Sequence, residues 1–108
     1  MNREDYEEFM QDSFRRRLEL ARRKGADYAT EDILSNFKRM AKVIETLRVD
    51  PTKPHGVALI YALLKIDRLC NLLSKNTRPR NESLQDTVDD LKNYIDLLEA
   101  CLIEEGIL

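Results

Sequence analysis

Glycine and proline are scarce in this chain, with three of each among 108 residues. Strand-and-turn proteins use both freely, so the shortage, beside plentiful Leu, Glu, Lys and Arg, favours long helices. Histidine occurs once, as His55, and cysteine twice, as Cys70 and Cys101. That inventory offers no zinc knuckle, no histidine pair and no disulfide framework, and a reduced cytosolic cysteine pair is the expectation. A cysteine–histidine nucleophilic pair stays open on sequence, although packing in helical seams explains both thiols more simply. There is no glycine-rich phosphate loop, and none of Ser13, Ser35, Ser74 and Ser83 occupies a nucleophile elbow. Walker and Rossmann chemistry are thereby excluded, and serine-triad hydrolysis is not expected. Neither sign of charge dominates: 18 Lys and Arg face 20 Asp and Glu, a net charge of −2. Such a balance exerts no general pull toward nucleic acid or membrane. The longest apolar run, GVALIYALL, is less than half of a membrane span. The opening MNREDYEEF lacks the apolar core of a signal peptide. A soluble, cytoplasmic, single-domain protein spanning residues 1–108 is the expectation.

What is present is helical periodicity. The first segment, about residues 3–24, carries Tyr6, Phe9, Met10, Phe14, Leu18 and Ala21 at steps near three and four, with Gly25 placed to end it. The second, about 30–48, begins at Thr30 as N-cap, with Glu31 and Asp32 set against the helix dipole. Ile33, Phe37, Met40 and Ile44 form its stripe. DPTKPHG stops it, because Asp50 and Lys53 each precede a proline. The third, about 56–75, is apolar on nearly every side, which asks for the centre of a bundle or a second subunit. The fourth, about 82–105, opens with Ser83 and Asp86 spaced as a capping box. Its seam is Leu84, Val88, Leu91, Ile95, Leu98 and Leu102, with Tyr94, Leu97 and Cys101 as a second strip. The expected fold is an all-α, four-helix antiparallel bundle that forms a homodimer or higher oligomer.

Three charged features carry candidate chemistry. Asp86, Asp89 and Asp90, with Glu82 just before them, could offer oxygen ligands to magnesium while a nucleotide's phosphates complete its shell. The competing reading is that acids early in a helix favour its positive end and stay solvated. Lys65, Asp67 and Arg68 interrupt the apolar third helix, and charges there need partners, most obviously on the acidic fourth helix. They either form an ion-pair network or face an anionic ligand. RRRLELARRK, with Arg78 and Arg80, could rim a phosphate site, but the slight negative charge and lack of interleaved aromatics argue against DNA or RNA.

KGADYATEDILSNF, LLKIDRL and ESLQDTVDDLKNY together resemble small phage and prophage helical proteins of the nucleotide-modification-associated type. A weaker similarity is to MazG-like all-α nucleoside-triphosphate pyrophosphohydrolases. The resemblance covers about residues 24–98, and the positions that match are Lys24, Tyr28, Asn36, Lys65, Arg68, Glu82, Asp86, Asp90 and Tyr94. It implies an oligomer that binds a nucleotide-type small molecule through magnesium and carboxylates. Lys24, Tyr28, Asn36, Lys65, Arg68 and Tyr94 would then touch the ligand, and Glu82, Asp86, Asp89 and Asp90 would hold the metal. The second helix lacks the paired-glutamate motif of MazG-type enzymes, so binding is better supported than turnover and no catalytic residue is assigned. The alternative is a non-catalytic helical interaction protein, an inhibitor, sponge or oligomeric scaffold, whose charges are only interhelical salt bridges.

Overall fold

The computed structural model describes residues 1–28, 32–74 and 81–108, the side chains of 24–28 and 81–82 excepted. The protein is all-α, and the described residues hold four helices and no strand: α1 (Arg3–Tyr28), α2 (Ser35–Leu47), α3 (Pro54–Ser74) and α4 (Asn81–Glu104). They fall into two compact units, Met1–Ile33 and Leu34–Leu108.

The first unit is built on α1. Asn2 caps it, its side-chain Oδ1 accepting from the Asp5 N–H at 2.7 Å, and Glu4 and Asp5 lie in the positive first turn. The helix continues through Gly25 to Tyr28 rather than ending at the glycine. A glycine inside a helix costs only about 1 kcal/mol, and neighbouring residues absorb that. Of its described side chains only Ser13 is even half-buried.

In the second unit, α2 begins four residues later than Thr30 as N-cap would have it. Thr30 and Glu31 lie outside the described residues, and residues 32–34 form a turn. Short polar side chains serve turns as readily as helix caps, which is why the signal misplaced the start. At the other end Arg48 enters the left-handed region (φ 57°). Its N–H donates to the Glu45 carbonyl and that of Val49 to the Ile44 carbonyl, a Schellman closure. The same closure ends α4 with a glycine: Gly106 (φ 76°) donates to Ile103, and Ile107 to Leu102.

The link from α2 to α3 is tightly folded. Asp50 Oδ1 accepts from the Thr52 N–H at 2.9 Å and hydroxyl at 2.6 Å, and these bonds hold its carboxyl below the ordinary value. Pro54 then opens α3 at a position that needs no N–H. Two residues on, Gly56 is buried beneath the link, and a Cβ added there would sit 1.6 Å from the Asp50 carbonyl oxygen. Only glycine permits that approach.

α3 and α4 pack antiparallel, as the pairs His55–Glu105, Tyr61–Tyr94 and Lys65–Asp90 require. α2 leans on α3 more lightly. Among the described residues the buried apolar side chains are Met40, Ala58, Ala62 and Leu72, joined by Thr87, 1% exposed, whose hydroxyl donates to the Ser83 carbonyl at 2.6 Å. Ser83 therefore sits inside α4 and not at a capping box. The α4 face turned inward centres on Thr87, Leu91, Tyr94, Leu98 and Cys101, while Ile95, placed on the expected seam, is 48% exposed. The other residues of the expected seam, Leu84, Val88, Leu91, Leu98 and Leu102, are half-buried.

Candidate functional site

Lys65 and Asp67 are two residues apart, which turns their side chains about 200° from one another on a helix. They cannot both face α4, and they do not. Lys65 Nζ meets Asp90 Oδ2 at 3.1 Å across the α3–α4 contact. Asp67 instead takes a forked pair from Arg39 of α2, Nε to Oδ1 at 2.8 Å and Nη2 to Oδ2 at 3.1 Å. Its partner is thus on α2, where the sequence suggested α4. The Asp67 side chain is only 11% exposed, so the fork supplies hydrogen-bond partners to a carboxylate that water barely reaches. The hydrogen bond to Asp67, reinforced by its charge, raises the Arg39 pKa above its ordinary value.

One turn from Lys65 and Asp90, Tyr61 stacks on Tyr94 with ring centroids 5.4 Å apart and planes 14° from parallel. Three of the residues singled out in the sequence, Lys65, Asp90 and Tyr94, therefore share one cross-helix ladder with Tyr61. Tyr61 itself went unread, although its place four residues before Lys65 mirrors that of Tyr94 four residues after Asp90. At the end of the pair, His55 Nδ1 and Glu105 Oε2 lie 2.5 Å apart and clamp the start of α3 to the end of α4.

The other candidates are dispersed. Asp86 is exposed, and Asp89, also exposed, accepts a hydrogen bond from Gln85 Nε2 at 3.1 Å. Arg68 and Asn36 are half-buried, on α3 and at the start of α2. The side chains of Lys24, Tyr28 and Glu82 lie outside the described residues. Among the described residues, no three His, Cys, Asp or Glu side chains are grouped to hold a metal ion.

A concavity separates α2 from α3. It is an open groove of about 630 Å³ with Met40, Val43, Leu63, Ile66 and Cys70 among its apolar lining, and Lys42 and the Arg39–Asp67 fork at its edge. Its volume falls in the range of roughly 300–1,000 Å³ that small-molecule sites occupy. Among the described residues, none of the sequence-chosen ligand residues lines it.

No described helix is long and apolar enough to cross a membrane. No protein-family model matches the chain, and comparison with curated proteins and with solved structures gives no significant match.

Proposed function

We propose that this protein is a non-catalytic helical interaction protein that works as an oligomer, in the phage-type cytoplasmic setting its sequence resemblance implies. The observation that carries this reading is the apolar surface left open around α2, where Phe37 is 63% and Leu47 61% exposed and Met40, Val43, Leu63 and Ile66 line the open groove toward α3. Large side chains exposed together along a helix mark surfaces that another molecule covers. The ion pairs support the same reading. Lys65 and Asp90 engage one another, and Asp67 is held by Arg39, so these charges already act between helices.

A second reading, a magnesium-dependent nucleotide binder with or without MazG-like pyrophosphate release, draws support from the gathering of Lys65, Asp90 and Tyr94 with Tyr61. One experiment separates the two. Thermal shift is measured against nucleotides with and without magnesium, beside the mass of the complex by light scattering. A ligand at one hundred times its Kd stabilises the native state by about 2.7 kcal/mol, a shift easily seen in a small domain. The interaction reading expects no shift and a mass above that of one chain. A shift that Lys65→Ala and Asp86→Ala both abolish would replace it with the nucleotide reading.

A further inference from the structure

α1 carries a broad apolar face with no buried residue: Tyr6 is 52% exposed, Phe9 48%, Met10 43%, Phe14 61%, Leu18 40% and Leu20 44%. Helices draw most of their stability from covering such a face, and a lone helix in water is marginal. Its charges identify the cover. Residues 3–12 hold Glu4, Asp5, Glu7, Glu8 and Asp12 against Arg3, while residues 15–23 hold Arg15, Arg16, Arg17, Arg22 and Arg23 against Glu19. The helix is acidic at one end and basic at the other. A parallel neighbour of the same sequence would stack like charges, whereas an antiparallel one lays each half on its opposite.

Building on the interaction reading above, we infer that α1 is a self-recognition element, docking antiparallel on α1 of a second copy of this chain. The spacing of the flanking charges fits a two-fold arrangement. At about 100° per residue, Asp5, Asp12, Arg16 and Arg23 all fall within roughly 40° on one flank of the apolar face. In a two-fold antiparallel pair a flank lies beside the same flank of its copy. The acids are seven residues apart and so are the arginines, so one register sets Asp5 level with Arg23 and Asp12 level with Arg16. In that register Phe14 meets its own copy at the two-fold axis and Met10 lies level with Leu18. Arg17, which lies within the apolar face, is turned toward the acidic half of the other helix. The Asp12–Arg15 contact within α1, 3.4 Å long between side chains 56% and 75% exposed, is too weakly held to compete.

The test uses the full chain in sedimentation velocity. The parent should dimerise, with affinity falling as salt rises from about 0.05 M to about 0.5 M, since the charges attract through water. Glu4→Lys, Asp5→Lys and Asp12→Lys together should weaken the dimer roughly tenfold or more. Adding Arg16→Glu and Arg23→Glu to that variant should restore much of the affinity. A dimer insensitive to these exchanges, or strengthened by salt, overturns the α1 pairing but leaves the interaction reading standing. A parent that stays monomeric and sediments with phosphatidylglycerol vesicles overturns it in favour of a membrane-surface helix. A monomer stabilised by a magnesium nucleotide overturns both readings together.

Discussion

α1 and α4 are close in length, 26 and 24 residues, and both repeat apolar side chains at steps of three and four. Their burial differs completely. α4 turns Thr87, Leu91, Tyr94, Leu98 and Cys101 against α3, while α1 leaves Tyr6, Phe9 and Phe14 about half or more exposed. Periodicity therefore announces that a helix has a face to cover and is silent about whether the cover comes from the same chain. α4 answers that demand within the molecule. In the dimer inferred above, α1 meets it with a second copy of the chain.

The largest expected effect that tests this contrast is at Gly56. Gly56→Ala drives a methyl group into the Asp50 backbone and should cost the Leu34–Leu108 unit at least about 3 kcal/mol in chemical denaturation. Self-association through α1 should outlast that loss of stability. Next comes Arg39→Ala, which strands the nearly buried Asp67 carboxylate and should destabilise the unit by about 1–3 kcal/mol. A null result there would mean the fork is ornamental and α2 is held by Met40 alone. Arg48→Gly should act in the opposite direction, raising stability by about 0.5–1 kcal/mol by relieving a left-handed residue, as Gly106 already does for α4. Smaller still, Phe14→Ala should leave the melting of Leu34–Leu108 within about 0.5 kcal/mol while weakening the dimer. Were that melting to fall sharply, α1 would belong to the same cooperative fold as α4, and the contrast would collapse.

The smallest effect expected is one of pH. Asp50 is held below its ordinary value by its bonds to Thr52. Its contribution is accordingly present above the ordinary carboxylate range and is lost as pH falls through the lowered value. Denaturation midpoints across an acid series should show this loss in the parent and not in Asp50→Asn.

Much of the fold was legible because its signals are local. Scarce breakers, stripes at helical spacing and the prolines around Lys53 and His55 gave four helices and the α2–α3 break. The site was harder to read, for a geometric reason. Lys65 did reach Asp90 as its neighbours suggested, but Asp67 found Arg39, 28 residues earlier in the chain, because two positions along a helix reverse a side chain's direction. The α4 seam was legible with one exception: Leu84, Val88, Leu91, Leu98 and Leu102 are half-buried, while Ile95 is exposed. Thr87, 1% exposed, went unread because a small polar side chain carries little hydrophobic signal in a sequence.

The crossing of the α2–α3 link over α3 has a consequence for how such chains can diverge. A carbonyl 1.6 Å from a would-be Cβ leaves no room for any side chain, so drift at residue 56 is closed unless the link itself is rebuilt. Arg48 sits under no such lock, and substitution to glycine or asparagine there would be tolerated. Related chains aligned on this one should be invariant at the first position and varied at the second.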